Sequence, residues 1–377
     1  MLGGPLYQLL LRARLLEPPV ALVTRRIAVV IAVTWLPVFA LAALGGMLFS
    51  GTKVPFFFDI EAHVRLLIAL PLLLAAEPVV HWQLALQVRQ FEERGLVAPE
   101  DRPRFAAIID DTMRLRNSMA IELMILAFSF AVGYWVWRHE VASRIGTWYL
   151  TPEESLTAAG AWYAFLSLGV FRFVLFRWYF RLVLWYLFLW RVSRLKLQLN
   201  ALHPDGVAGI GFLGASVTAL TAVLLAQSAT VSGVIAGQIL HEGLKLEAFR
   251  LEIGVVVAML VAQGLVPLLF FVGPLLAASM QGKREAGLLA MRYSEQFREK
   301  WLGAQPRANE RLLGSADLQS LADFGVAYER VQKTRLLPLD LRAIVRVAVI
   351  VALPFAPLVL TVVPLNVLLG RVLRQLL

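Results

Sequence analysis

Glu77 and His81, in the stretch LAAEPVVHWQ, are the pair best spaced for chemistry: four residues apart, they share one face of a helix. A carboxylate and an imidazole so placed could relay a proton or, with further ligands, hold a metal. Pro78 between them removes a helical hydrogen bond and distorts that geometry. An ionisable pair within an apolar run is costly and is a functional hypothesis by default. Its structural alternative is a carboxylate neutralised by arginine from a neighbouring helix. Metal chemistry lacks further ligands. The chain has 5 histidines, His63, His81, His139, His203 and His241, and the spans derived below scatter them over both sides of a membrane. His139 with Glu140 and His241 with Glu242 are adjacent pairs, and adjacent residues on a helix do not face each other. No cofactor or metal is expected. Cysteine is absent, which removes disulfides, thiolate ligands and thiol nucleophiles. Neither a GxSxG elbow nor a lysine-paired serine is present, so no acyl-transfer nucleophile is legible.

The second candidate is VALPFAPLVLTVVPLN, residues 351–366, where Pro354, Pro357 and Pro364 interrupt an apolar run. Each proline inside a helix removes a hydrogen bond and costs about 3 kcal/mol. Carbonyls freed in this way must meet neighbouring protein or water in a cavity, because hydrocarbon offers no donor. The segment is therefore expected to face protein or water. Thr361 and Asn366 add polar groups to its wall, and Arg371 with Arg374 would form positive rings if several copies met. An apolar constriction bounded by such rings is how many channels gate and select. Pro354, Pro357, Thr361, Pro364, Asn366 and Arg371 are the pore-lining expectation. A kinked helix buried in a monomeric bundle is its alternative.

These groups sit in a membrane chain. Of 377 residues, 59% are hydrophobic and 16% charged, with mean hydropathy +0.70, far from the composition of soluble domains. The net charge of +10 comes from arginine and lysine concentrated between apolar runs, where they orient the chain in a bilayer; nucleic acid is not an expected partner. At about 20 apolar residues per crossing, spans fall near 27–49, 64–86, 119–137, 158–180, 213–240, 253–278 and 343–369. The expected fold is all-α and polytopic, with about seven transmembrane helices and a small cytoplasmic helical subdomain. The N-terminus, the stretch Arg89 to Arg116, the stretch Arg191 to Lys196 and the stretch Lys283 to Arg342 are rich in positive charge. The N-terminus is thus expected in the cytoplasm of a bacterial inner membrane and the C-terminus outside. The first run is read as a retained span rather than a signal peptide.

In the fourth run, apolar and aromatic residues continue from Ala158 to Trp190, about 50 Å of helix against a hydrocarbon core of about 30 Å. Arg172, Arg177 and Arg181 do not form a gating stripe, since their spacing turns the first and last to nearly opposite faces. Arg177 and Arg181 are expected at the inner headgroups. In the loop 279–342, Leu289, Tyr293, Phe297 and Trp301 form one amphipathic stripe, and Leu318, Leu321, Phe324, Tyr328 and Val331 a second. Residues 1–278 are therefore read as transmembrane helices one to six, 279–342 as the cytoplasmic helical region and 343–377 as the final proline-rich helix. The fifth span is unusually polar, with Thr218, Thr221, Gln227, Ser228, Thr230, Ser232 and Gln238 beside the pair Gly233 and Gly237, a pattern of close helix packing.

LHPDGVAGIGFLG at 202–214 reads as a turn rather than a phosphate cradle, since it fits no phosphate-binding spacing and no strand precedes it. Together with LADFGVAYERVQKTRLLPLDLRAIVR at 321–346 and the proline-rich span behind it, this stretch resembles an uncharacterised family of multi-pass bacterial inner-membrane proteins. The resemblance covers mainly the second half of the chain and brings no functional residues. The topology alone is similar to that of insect chemoreceptor channels, which implies a tetramer with the last helix around a central pore. The expected function is accordingly a homo-oligomeric, channel-like protein. The alternatives are a secondary transporter, proton-coupled through Glu77 and His81, and a membrane enzyme acting on lipid.

Overall fold

The structure is a computed structural model and describes residues 21–136, 147–151, 155–302 and 316–361. Its longer helices in chain order are α1 (Ala21–Thr34), α2 (Leu36–Leu44), α3 (Leu70–Glu93), α4 (Arg102–Arg116), α5 (Met119–Val136), α6 (Leu168–Val192), α7 (Gly214–Glu242), α8 (Arg250–Leu269), α9 (Val272–Phe297), α10 (Ala316–Gln332) and α11 (Leu341–Ala352). The last is prolonged by a 3₁₀ helix, Leu353–Thr361. Among the described residues there is no strand, and extended pairing is limited to isolated bridges. Among the described residues, six helical stretches are long and apolar enough to cross a membrane, and a seventh candidate is the pair Pro99–Arg116 and Met119–Gly133, bent by 46°. The chain is an all-α polytopic membrane protein.

α7 is the middle of the bundle: 67% of its most apolar window is buried, against 22% for the final span. Small side chains make this possible. Ala219, Ala226, Ser228, Ala229, Ser232 and Gly233 are buried along it, and a Cβ on Gly233 would stand 3.1 Å from Val64. α3 and α6 are each entered through a capped short turn and a π-helical turn. Asp59 accepts the N–H of Ala62 before Val64–Ala69, and Thr157 accepts that of Gly160 before Trp162–Ser167. A π turn widens the helix and re-aims its side chains, here those of Arg65 and Tyr163.

The two ends of the bundle differ. At one end, here the loop end, Phe56 N–H meets Met47 O, Trp148 N–H meets Val54 O, and a His241 ring nitrogen lies 3.1 Å from Phe58 O. At the other, the basic end, Ala98 N–H reaches Lys196 O and Arg335 N–H reaches Gly206 O. There the expected turn at 202–214 is built around Asp205, whose carboxylate accepts the backbone N–H groups of Val207, Gly209 and Gly211 at 2.9, 3.1 and 2.9 Å. The chain passes through positive φ at Gly206, Ala208 and Gly209 to curl around it. Arg335 also donates to Asp205 O at 2.9 Å and pairs with Asp340 at the start of α11. The two stretches 202–214 and 321–346 are thus in contact and set where the final span begins.

Two helix boundaries depart from the sequence expectation. The sixth span ends at Leu269 rather than 278, because the helix breaks at Phe270 and Phe271 before Pro274 and α9 starts anew at Val272. The first amphipathic stripe is the far half of α9. Tyr293 stacks on Phe324 of α10 at 5.6 Å, and Asp317 receives Lys300 Nζ and the Trp301 indole at 2.7 and 3.0 Å. α9 and α10 therefore form a helical hairpin, with Gly282 packed against Ala201 and Val331.

Candidate functional site

A cavity of about 590 Å³ opens near the loop end between the turns that lead into α3 and the helices α5, α6 and α7. Its polar lining comes from Lys53, Asp59, Glu61, Arg65, Thr147, Tyr163, Arg172, Gln238, His241 and Glu242. Arg65 donates to Glu61 at 2.7 Å and to the Tyr163 hydroxyl at 3.2 Å, and its guanidinium lies over the Phe171 ring at 5.7 Å. Asp59 receives the Trp148 indole N–H at 2.8 Å; burial pushes its carboxyl above the usual aspartate range, against the pull of the Ala62 N–H and that indole. Arg172 differs from these. It is half-buried, lines the same cavity and has no carboxylate within ion-pair distance among the described residues. Gly133 on α5 makes room for it, since a Cβ there would collide with the guanidinium. The Thr147 hydroxyl is buried with no hydrogen-bond partner among the described residues. Gly237, expected to pack against a neighbouring helix, has open space before it and lines the cavity.

A second polar centre lies nearer the basic end. Glu77, 4% exposed, is met by Arg26 of α1 at 2.8 Å, Arg181 of α6 at 2.9 Å and Arg177 of α6 at 3.8 Å. Arg177 also faces Glu122 of α5 at 3.7 Å. Arg177 and Arg181 were expected among headgroups; they turn inward instead, because a buried carboxylate on α3 needs counter-ions and α6 passes beside it. Glu77 and His81 do not act as an isolated pair, since Glu77 is the shared counter-ion of three guanidinium groups from two helices. No clue in the sequence near Glu77 points to Arg26, which arrives from another span. Among the described residues no group of three metal-ligating side chains forms; His139 and Glu140 lie outside them.

The final span presents the third arrangement. Under the three-residue spacing of a 3₁₀ helix, the N–H groups that would meet the carbonyls of Val351 and Pro354 belong to positions 354 and 357, both proline. Ser228 donates to Val351 O and Ser232 donates to Pro354 O at 2.6 Å. The hydroxyls stand one turn apart on α7 and replace the two donors that the prolines lack. Val351, Phe355 and Leu358 are buried, whereas Pro357 and Thr361 are exposed on the single chain. Pro364, Asn366 and Arg371 lie outside the described residues. Sequence reasoning grouped the serines as packing glue; their offset from the prolines becomes legible only once the pairing register of two distant spans is known.

No family model, curated protein or solved structure matches the chain. The functional reading rests on this geometry alone.

Proposed function

We propose that the chain is a membrane transport protein of the carrier class, and that the cavity around Arg65 and Arg172 receives a small anionic solute. The observation that carries this reading is Arg172, a guanidinium facing a sizeable cavity without a carboxylate of its own among the described residues. A half-buried cation is stabilised by an anion, and a guanidinium binds carboxylate or phosphate oxygens in a fork of donors. Thr147 adds a hydroxyl with no partner among the described residues, and Tyr163 a hydroxyl held by Arg65. Irregular helix at membrane depth is tolerated where it lines a cavity, and two of the walls here are π-helical. The excess of arginine and lysine in the loops of the other end supports the reading in which that end faces the cytoplasm and the cavity opens outward.

The test is uptake into proteoliposomes of phosphate, sulfate and small mono- and dicarboxylates, with binding followed by thermal shift. At least one of these is expected to bind, and Arg172→Gln to weaken it about tenfold or more. If none binds, or binding ignores Arg172→Gln, the carrier reading fails.

A second reading, a homo-oligomeric channel with the final span along the conduction path, is favoured by one feature. Leu353, Ala356, Pro357 and Leu360 form an exposed face on the 3₁₀ segment. Because Ser228 and Ser232 already satisfy the carbonyls of Val351 and Pro354, Pro354 and Pro357 alone do not require water beside them. A ring of subunits with its axis along residues 351–366, together with conductance in planar bilayers, would select the channel over the carrier.

A further inference from the structure

Among the described residues the charges around Glu77 do not balance. Arg26, Arg177 and Arg181 face Glu77 and Glu122, which leaves one positive charge in excess within a bundle where unpaired charge is expensive. Arg116, at the end of α4, adds another. Its guanidinium hydrogen-bonds to the side chain of Asn117 at 3.1 and 3.2 Å, and no carboxylate lies within ion-pair distance among the described residues. Arg116, Arg177 and Arg181 line one small recess, together with Ser118, Glu122 and Phe180. The recess sits where the α4–α5 pair bends by 46° against α6. Its volume of about 20 Å³ admits one water-sized group, which is also the size of a single phosphate oxygen. Beside the recess-lining Ser118 and Glu122, Met119, Leu123 and Met124 on α5 are exposed apolar residues, as on a helix that borders acyl chains.

We infer that this recess binds the phosphate of an anionic lipid headgroup, one oxygen entering between Arg116 and Arg181 while the acyl chains lie along α5. The bound charge offsets the surplus that the carboxylates leave. Glu122 limits how tightly phosphate is held, because it occupies the same recess with the opposite sign. Free phosphate shares the chemistry, but it lacks the apolar contact with α5. The recess shares no lining residue with the cavity at the loop end and does not depend on the role proposed for it.

Native mass spectrometry of the purified protein, loaded with phosphatidylglycerol or phosphatidylcholine, tests this. Phosphatidylglycerol should be retained preferentially, Arg116→Gln should lower its retention roughly fivefold, and Glu122→Gln should raise it. Opposite effects of two substitutions in one recess are not what general destabilisation produces. In neutral, lipid-free detergent, inorganic phosphate serves as the second probe. If it raises the melting temperature in an Arg116-dependent way while the two lipids are held equally, the site stands with free phosphate as its ligand. Equal retention of both lipids with no phosphate effect, or retention unmoved by both variants, overturns the inference.

Discussion

Ser232 donates its hydroxyl to the carbonyl of Pro354 at 2.6 Å, across two spans separated by more than a hundred residues. Ser228, one turn earlier, does the same for Val351. A proline-broken helix is thereby held by its neighbour instead of by its own ladder. Each serine side chain in a bilayer protein is worth about 1 kcal/mol when so used. Ser228→Ala and Ser232→Ala should each lower unfolding free energy by about that amount, measured by steric trapping or thermal melting in detergent. The double variant should lose about 2 kcal/mol. Unchanged stability in both single variants would show that the carbonyls find other donors.

Glu77 should tolerate substitution worst among the buried charges. Glu77→Gln leaves Arg26, Arg177 and Arg181 facing each other without their main counter-ion, a loss of about 3–5 kcal/mol by analogy with other broken buried pairs. Arg26→Gln removes one of three cations from a cluster already in positive excess, and Arg181 still contacts the carboxylate at 2.9 Å. It should cost much less. The ranking is readable as folded yield and melting temperature in detergent. A milder effect for Glu77→Gln than for Arg26→Gln would mean that the cluster does not hold its charges as described.

The sequence showed the spans because apolar runs of membrane length are local, and it showed the turn at 202–214 because His203, Pro204, Asp205 and the glycines are contiguous. The break at Phe270 was hidden, since an apolar run continues through it. Glu77 was visible as a costly group, yet its counter-ions from α1 and α6 were not, because helix rotation decides which face of Arg177 and Arg181 turns inward. Arg172 was visible only as a member of an arginine series. Its role emerged from Gly133 on another helix, whose missing side chain leaves the space the guanidinium fills.

Asp205 links the second half of the chain to acid. Burial alone would push its carboxyl up, but the N–H groups of Val207, Gly211 and Gly209 and the contact with His203 hold it below the ordinary value of 3.8. A depressed native value means that the carboxylate contributes stability above that ordinary value and loses it as pH falls through the native one. The latch to Arg335 should thus loosen only in strongly acidic solution, seen as faster hydrogen exchange at Val207, Gly209 and Gly211. Asp205→Ala should mimic that state at neutral pH, leaving three amides without an acceptor and costing about 1–3 kcal/mol. Protection of those amides that survives Asp205→Ala would refute the latch.

Gly133 separates the cavity's chemistry from the fold. A methyl group there would meet the far end of the Arg172 side chain rather than backbone, so the flexible guanidinium must move while α5 stays in place. Alanine also suits a helix better than glycine by about 1 kcal/mol. Gly133→Ala should therefore keep or raise the melting temperature, yet weaken binding of whichever small anion the cavity takes, in the same direction as Arg172→Gln. Gly237→Ala is the control: it lines the same cavity but has nothing within 4 Å of the added carbon, and it should leave both readings near wild type. Binding that survives Gly133→Ala in a well-folded protein would mean that the position of Arg172 beside α5 is not what holds the anion.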